Sequence, residues 1–244
     1  MLSVIIPTLN EADLLPATLR NIRANPEPHE ILVADGGSED RTAALSREAG
    51  AQVVASPVAN RAAQMNLGAA LAQGDILLFL HADTRIGPTA LSQIVVALAA
   101  PAVVGGGFAR RFDSPSPLLR FTARMGEWRS RCFGWYYGDQ GIFVRRTVFR
   151  QLDGFGNLPA FEDVDFTRRM ARQGKVVTLR ANVISSARRF SARGPAATSL
   201  SDLWLTLRYL AGADPRCLLR SREQRLHPSN VAAPTLDKKG TRRS

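Results

Sequence analysis

Short, wholly apolar runs alternate with segments of helical length through the first hundred residues, and this alternation limits the folds open to the chain. Strands joined by helices at this spacing form parallel βαβ units with right-handed crossovers. Runs that are apolar throughout, such as ILLFL at 76–80, are typical of strands covered on both faces. The sequence therefore predicts an α/β fold in which a mainly parallel sheet is flanked by helices. The predicted strands of this half are 2–7, 30–35, 51–56 and 75–80.

Capping residues predict where two of the helices begin. Thr8 followed by Glu11 fits a capping box that opens a helix running to about Ile22. Ser38 can cap a second helix near 41–49. Beyond residue 100 the sequence predicts further elements of both kinds. They are a strand over 103–112, helices over 116–137, 161–174 and 199–212, and a strand with a short helix over 141–155.

Polar side chains follow three of the predicted strands, at the point where each one ends. In open parallel sheets, ligands bind in the crevice outside the carboxyl ends of the strands. We therefore expect the three strand ends to converge on one crevice. The tripeptides concerned are Thr8-Leu9-Asn10, Asp35-Gly36-Gly37 and His81-Ala82-Asp83.

The ionisable residues at these strand ends each have more than one interpretation. Asp83 can begin a turn, or it can be a single carboxylate ligand for Mg²⁺ or Mn²⁺ that bridges a diphosphate. His81 can be a second ligand, a contact to phosphate or ribose, or an imidazole satisfied within the core. Asp35 precedes two glycines and suits a turn, but it equally suits binding to the base or ribose of a nucleotide.

Four segments are informative as an ordered set, namely SVIIPTLNE, ILVADGGSEDRT, NRAAQMNLGAALAQGDILLFLHADTRI and FEDVDF. Together they resemble the family 2 glycosyltransferases, which have the Rossmann-like GT-A fold, over roughly residues 1–185. The motif HADT, the segment GDQGIF and the C-terminal helix are similar to the small bacterial glycosyltransferases associated with radical-SAM and selenium-related genes. The resemblance implies an inverting, metal-assisted transfer of a sugar from an NDP-sugar, UDP-linked by preference, to an unknown acceptor hydroxyl.

The resemblance also implies roles in nucleotide-sugar binding for individual residues. The segment His81-Ala82-Asp83 stands where the family has an Asp-x-Asp motif, so Asp83 would hold Mn²⁺ or Mg²⁺. His81 replaces the first Asp of that motif, which leaves open the identity of the metal and the role of the imidazole. Asp35 would read the base. The residues expected at the donor site are Pro7, Thr8, Asn10, Glu11, Asp35, Arg61, His81 and Asp83.

Four further residues are candidates for the acceptor side of the reaction. Glu162 and Asp163 match an acidic pair that the family has near the acceptor, and they also suit the acidic first turn of a helix. In the context of the resemblance we expect Asp163 to be the general base and Glu162 to orient the acceptor or that base. Asp139 and Gln140 either contact the donor sugar or the acceptor, or form a turn before a strand.

Charge is divided unevenly along the chain, whose formal net charge is +11. Residues 1–100 contain 6 Lys/Arg and 10 Asp/Glu, whereas residues 101–244 contain 26 and 11. Arginines alternate with aromatic residues over 120–137 and 202–225. Such segments can stack single-stranded nucleic acid, rest on anionic lipid or simply pack as amphipathic helices. Of the two functional interpretations we favour a membrane or lipid-linked acceptor, because no nucleic-acid motif accompanies the charge.

A few further features of the sequence bear on the cellular location of the protein and on its domain boundaries. The two cysteines are far apart, the N-terminus lacks a basic region, and the longest apolar stretch, 86–104, is interrupted by prolines. We expect a cytoplasmic protein that can contact the inner face of the membrane and has no spanning helix. The expected regions are a GT-A domain over 1–198 with a nucleotide-binding half 1–100 and an acceptor half 101–198, an amphipathic helical region over 199–221 and a disordered tail over 222–244.

Two other functions are compatible with parts of the sequence. A sugar-phosphate nucleotidyltransferase would also need a carboxylate at a strand end and a metal ion, but TLNE stands where a Gly-rich loop for NTP would be expected. A non-catalytic protein that binds nucleic acid through its basic half is the second alternative. The acidic residues gathered at the expected crevice disfavour it, and nucleic acid is therefore not the expected partner.

Overall fold

The computed structural model describes residues 1–191 and 194–218, so the predicted tail at 222–244 lies outside the described residues. Within those ranges no helix has both the length and the apolar character needed to cross a bilayer. The strands are β1 (Leu2–Thr8), β2 (His29–Asp35), β3 (Gln52–Ala55), β4 (Ile76–Phe79), β5 (Thr84–Ile86), β6 (Val103–Phe112), β7 (Ile142–Arg145) and β8 (Lys175–Ser185). The helices are α1 (Leu15–Arg23), α2 (Thr42–Glu48), α3 (Arg61–Leu71), α4 (Ala90–Ala99), α5 (Pro117–Phe133), α6 (Arg146–Gln151), α7 (Glu162–Met170), α8 (Arg188–Ser191) and α9 (Pro195–Leu210), with a 3₁₀ turn at Gly138–Gln140.

The strands form one sheet in the order β3-β2-β1-β4-β7-β6-β8-β5. β3, β2, β1 and β4 are mutually parallel, as expected for strands joined by helical crossovers, and β6 is parallel to β8. β7 is antiparallel to both of its neighbours, and β5 is antiparallel to β8. The structure confirms the predicted α/β fold and shows that the second half of the sheet is mixed.

Apolar side chains cover the sheet on both faces. Along β4, Leu78 packs into a core with α1 and α4, whereas Leu77 and Phe79 pack into a second core with α3, α6 and α7. This alternation is the reason why the strand sequence is apolar at every position. All three side chains are at most 2% exposed, so the predicted double burial of the ILLFL run is correct.

Both predicted capping interactions are wrong. Thr8 is the last residue of β1, and α1 begins seven residues later at Leu15 without a side-chain cap. Ser38 does not cap α2, whose N-cap residue is Arg41. The hydroxyl groups of Thr8 and Ser38 instead donate to the Asp35 carboxylate, at 3.2 and 2.5 Å. A buried charge needs hydrogen-bond donors more than a solvent-exposed helix start does, and it therefore attracts both hydroxyl groups.

The helix predicted over 116–137 ends at Phe133, because Gly134 adopts a left-handed backbone conformation with φ of 67°. The chain then turns inward, and the fully buried Tyr136 forms a hydrogen bond between its hydroxyl and that of Thr178 at 2.9 Å. Thr178 belongs to β8, a strand that the sequence analysis did not predict. Its pairing with β6 completes the second half of the sheet.

We expect Gly106→Ala to destabilise the fold by about 1–3 kcal/mol, because a Cβ at this position of β6 would collide with the Val177 backbone carbonyl of β8. The measurement is urea unfolding followed by circular dichroism. Gly126→Ala in α5 is the matched control, since its Cβ would meet only Arg110 Nη2 at an ordinary 3.6 Å. An alanine inside a helix should leave stability unchanged or raise it. Equal stability of the two variants would contradict the close approach of β6 to β8.

Candidate active site

The carboxyl ends of β1, β2 and β4 meet at one edge of the sheet. Thr8 is paired with Asp35 across β1 and β2, and the Leu80 N–H donates to the Ile5 carbonyl across β4 and β1 at 3.0 Å. His81 and Asp83 follow directly at the end of β4. The structure therefore brings the predicted strand-end residues of the donor site to a common edge.

Asp35 is held by donors from its own turn and from β1. Besides the two hydroxyl groups, the backbone N–H groups of Gly37 and Ser38 donate to its Oδ2 at 3.2 and 2.9 Å. The Gln64 amide of α3 donates to the carbonyls of Thr8 and Ala34 at 2.7 and 2.8 Å and so ties the two strand ends together. Asp35 is 7% exposed and its carboxylate is held in place by these hydrogen bonds, which supports its role in the turn. Its recognition of a nucleotide base stays a proposal.

The loop after β1 is bound to the loop after β2. Asn10 has a left-handed backbone with φ of 54°, which asparagine tolerates better than most residues, and its side-chain oxygen accepts from the Glu39 N–H at 2.9 Å. The Glu11 N–H donates to the Thr42 hydroxyl at 2.8 Å. Pro7 is buried within β1, and its predicted contact with the nucleotide stays a prediction. The two loops thus form one preorganised wall.

Three carboxylates influence one another at the end of β4. Burial raises the pKa of Asp83, and the nearby Asp139 raises it further, whereas Arg188 lowers it. Burial likewise raises the pKa of Glu11, Arg188 lowers it and Asp83 adds to the increase. Arg188 Nη2 lies 3.4 Å from both carboxylate oxygens of Glu11. The three carboxylates form a cluster of negative charge, which Arg188 partly neutralises at Glu11 and Asp83 and Arg110 at Asp139.

This carboxylate cluster is suited to a metal ion whose remaining coordination positions would be filled by a bound ligand. In the part of the chain that the structure describes, no three His, Cys, Asp or Glu side chains are arranged to hold a metal by themselves. Asp83 is half-buried, and Thr84 is a distant donor to it at 3.4 Å, so its oxygens keep coordinating capacity. A cation would relieve the repulsion from Glu11 and Asp139. Mg²⁺ and Mn²⁺ bind in this way through one or two carboxylates and the phosphates of a substrate.

Asp139 and Gln140 have different environments although they are adjacent. Asp139 forms an ion pair with Arg110 of β6, and its charge acts on Asp83. Gln140 is 1% exposed, and its amide group is engaged by Arg129, Ser130 and backbone groups. These hydrogen bonds fit the turn interpretation of Gln140, and its contact with a sugar stays a prediction. Asp139 remains a candidate for the crevice.

Asp163 at the start of α7 is joined to the end of β4 through Gly138. The Gly138 N–H donates to Asp163 Oδ2 at 2.7 Å, and the Val164 N–H donates to Oδ1 at 2.7 Å. A Cβ on Gly138 would collide with His81 Nε2, so the imidazole packs directly on this glycine. Asp163 and His81, 82 positions apart in the sequence, are therefore separated by one residue in space.

The environment of Asp163 favours its neutral form. Burial raises its pKa to about 7, and the charge of Glu162 contributes to the increase, although the donors Gly138 and Val164 oppose it. Glu162 is 5% exposed and pairs with Arg61 Nη1 at 3.5 Å. Arg61 was expected near the nucleotide, and the structure places it beside the acidic pair of α7. A carboxyl group with a pKa near 7 can accept or release a proton at neutral pH.

The C-terminal helix α9 contacts the chain on both sides of this carboxyl group. The Tyr209 ring stacks on Phe161, the residue before Glu162, with a centroid distance of 4.7 Å and an interplanar angle of 4°. Phe161 has a left-handed backbone with φ of 64°. The Tyr137 hydroxyl, beside Gly138, is 2.8 Å from that of Thr206. The sequence analysis missed these contacts and Arg188, because neither residue spacing nor helix period indicates them.

The chain belongs to glycosyl transferase family 2, whose family model matches residues 3–152, more than half of its length. A protein of Pseudomonas fluorescens, undecaprenyl-phosphate 4-deoxy-4-formamido-L-arabinose transferase, is 32% identical over 161 residues, covering 59% of this chain and 45% of that protein. The 4,4'-diaponeurosporenoate glycosyltransferase of Staphylococcus haemolyticus is 36% identical over 92 residues, covering 35% and 24%. The chain thus spans less than half the length of these curated relatives.

Solved structures of other proteins have a similar fold. A mannosyltransferase of Pyrobaculum calidifontis, in complex with GDP-Man and Mn²⁺, superposes with a TM-score of 0.68 at 22% identity, covering 94% of this chain and 70% of that one. S. aureus TarS residues 1–349, in complex with UDP-GlcNAc, superposes with a TM-score of 0.59 at 17% identity, covering 76% and 58%. These similarities confirm the predicted GT-A fold.

We expect Asp163→Asn to remove most of the fall in stability that the wild type shows between about pH 4 and about pH 7. A carboxyl group whose pKa is raised in the folded state binds more protons when folded, so the free energy of unfolding falls as pH rises from about 4 to about 7. Asparagine cannot ionise and so removes this loss, which is at most roughly 4 kcal/mol for three pKa units. Its amide nitrogen cannot accept one of the N–H groups of Gly138 and Val164, so the variant should also be less stable by an amount that does not depend on pH. Urea unfolding at several pH values measures the effect.

Asp13→Asn is the control for this measurement, because Asp13 is exposed near the start of α1. Its unfolding free energy should follow the wild-type pH profile. An Asp163→Asn profile parallel to that of the wild type would show that folding does not raise the pKa of the carboxyl group.

Proposed function

We propose that the protein is an inverting glycosyltransferase that moves a sugar from an NDP-sugar, UDP-linked by preference, to an acceptor hydroxyl. The observation that carries this proposal is the half-buried Asp163, with its pKa near 7, connected through Gly138 to the strand end that bears His81 and Asp83. Family membership favours this function over the nucleotidyltransferase and over the nucleic-acid-binding protein.

The donor half of the site has separate places for the nucleoside and the diphosphate. The wall formed by Asn10, Glu11 and the turn after Asp35 would hold the base and ribose. The diphosphate would lie at Asp83, where Mn²⁺ or Mg²⁺ supplies charge that stabilises the leaving group when bound. Arg188, whose charge already acts on Glu11 and Asp83, would contribute a positive charge there. Structural neighbours bind GDP-Man with Mn²⁺ and UDP-GlcNAc, so the nucleotide must be tested.

On the acceptor side Asp163 would take the proton of the attacking hydroxyl. A general base works best when its pKa lies near the working pH, and burial brings Asp163 there. Its two oxygens each accept one backbone N–H and keep a further lone pair for the hydroxyl. Glu162, fixed by Arg61, would orient the acceptor. Attack assisted by a base on the side away from the leaving diphosphate inverts the anomeric carbon.

The acceptor we favour is lipid-linked. The relative from Pseudomonas fluorescens is named for a transfer involving undecaprenyl phosphate. The acceptor side of the site is also bordered by α9, which exposes several apolar side chains. Both observations suit an acceptor presented at a membrane.

We expect calorimetry to detect UDP or GDP binding in the presence of Mn²⁺ or Mg²⁺. Excess EDTA and Asp83→Ala should each weaken it by roughly tenfold or more, about 1.4 kcal/mol, through loss of the metal. Asp75→Ala is the matched control, because Asp75 precedes the same strand at the opposite edge of the sheet, where it pairs with Arg146. Nucleotide binding that neither EDTA nor Asp83→Ala weakens would refute the role of the metal. Failure to bind either nucleotide would refute the donor site.

We expect Asp163→Asn to lower turnover by about 10²–10⁴-fold while nucleotide affinity stays that of the wild type, because only proton transfer is lost. The assay follows nucleoside diphosphate release from the sugar donor, with a lipid extract as acceptor. In the wild type, kcat/KM should rise with pH through about 7, as Asp163 loses its proton. Asp165→Asn on the same helix, which removes only the pairing with Arg169, is the control.

Two results would contradict the assignment of the base. One is normal turnover by Asp163→Asn. The other is a product with the same anomeric configuration as the donor, determined by NMR, since a single displacement must invert it.

A further inference from the structure

Two neighbouring helices expose long apolar side chains to solvent. On α5 the exposed residues recur at intervals of three and four, so they line one face of the helix, and Phe121 and Trp128 are 60% and 55% exposed. The opposite face of α5 is buried through Leu119 and Ala123. On α9, Leu203 is 56% exposed. We call the following set the α5–α9 face: Leu118, Phe121, Met125, Trp128, Leu200, Leu203, Trp204 and Leu207.

The exposed apolar residues of α9 are not core positions, because a different side of this helix is the one that packs against the protein. Leu205 and Thr206 are buried against the body of the protein, and Thr206 holds Tyr137. α9 also packs against α5, so the two exposed stripes belong to adjacent helices. Both helices thus already have a buried side, and the α5–α9 face is surplus apolar surface. Exposed apolar side chains gathered on two packed helices mark an interaction site.

Arginines border this face. By helical periodicity Arg120, Arg124 and Arg131 lie along one edge of the α5 stripe, and all three are exposed. Arg208 of α9 stacks over the Trp204 ring at 4.9 Å. The acidic residues of these two helices are Glu127, which pairs with Arg131, and Asp202. The face therefore combines leucine, phenylalanine and tryptophan with net positive charge.

We propose that the α5–α9 face docks the protein onto an anionic lipid bilayer. Apolar side chains that enter the acyl boundary, flanked by arginines that meet anionic headgroups, are the chemistry of an interfacial helix. A second copy of the chain would bring the same arginines against one another. A nucleic acid would attract the arginines but would leave the leucines of both helices in water. The bilayer is the one partner that matches both components.

Docking through this face places the candidate acceptor side next to the membrane. Tyr209 and Thr206 project from α9 toward Phe161 and Tyr137, the neighbours of Glu162 and Gly138. An acceptor anchored in lipid could then reach Asp163 without leaving the bilayer. The docking surface itself is argued from exposure and charge, so it does not depend on the proposed reaction.

The test is flotation of the full chain with vesicles, without donor or metal, so that a failure of the transferase proposal leaves its result unaffected. We expect binding to vesicles of phosphatidylcholine with phosphatidylglycerol, weaker binding to phosphatidylcholine alone, and a decrease with salt. Phe121→Glu combined with Leu203→Glu should lower binding by about tenfold or more, because the apolar insertion is lost. Val96→Glu, at a 73% exposed position of α4, is the matched control and should bind like the wild type.

A charge variant separates the two components of the face. Arg120→Glu with Arg124→Glu should abolish the preference for anionic vesicles, whereas Arg47→Glu with Arg150→Glu, also exposed but on α2 and α6, should not. Circular dichroism verifies that each variant is folded. Three results would overturn the proposal: no vesicle binding, vesicle binding that the α5–α9 variants do not change, or self-association in sedimentation that Phe121→Glu with Leu203→Glu abolishes. The last would assign the face to contact between copies.

Discussion

The antiparallel pairing of β4 with β7 is the constraint on which the candidate site depends. Phe79 pairs with Ile142, so the carboxyl end of β4 lies beside the amino end of β7. The turn that precedes β7 is therefore held at the end of β4, where Gly138 meets His81 and donates to Asp163. A parallel β7 would place that turn at the far edge of the sheet. One reversal of strand direction thus connects the half with Asp35 and Asp83 to the half with Asp163.

Opposed electrostatic effects divide this connected site into two regions. Burial and the charge of Asp139 raise the pKa of Asp83, burial and the charge of Asp83 raise that of Glu11, and Arg188 lowers both. At Asp163 two backbone donors favour the charged form, but burial beside Glu162 prevails. The first region favours a cation with an anionic ligand, and the second favours a movable proton. One chain can in this way stabilise a leaving diphosphate and receive a proton at separate places.

The sequence was sufficient for the parallel half of the fold and for the strand ends, because local apolar periodicity and chain order determine both. It was insufficient where partners are distant. The hydroxyls of Thr8 and Ser38 suit helix caps locally, and only the folded structure shows that Asp35 binds them. β8 alternates too weakly to be recognised before its partners are known. Gln140 has a polar side chain suited to a ligand, and its burial became apparent only in three dimensions. The roles of Asp83 and Asp163 came from resemblance and remain to be tested.

The stacking of Tyr209 on Phe161 has a consequence for how such a protein can diversify. Phe161 has a left-handed backbone conformation, which costs a residue other than glycine of order 1–3 kcal/mol. It therefore requires a partner that maintains this conformation, and Tyr209 is that partner. That partner belongs to α9, whereas the wall around Asp35 is built from the loops after β1 and β2. In the proposed reaction the acceptor would lie beside α9 and the nucleotide beside the wall. Substitutions within residues 195–210 would therefore alter the acceptor side without replacing any residue of the donor wall.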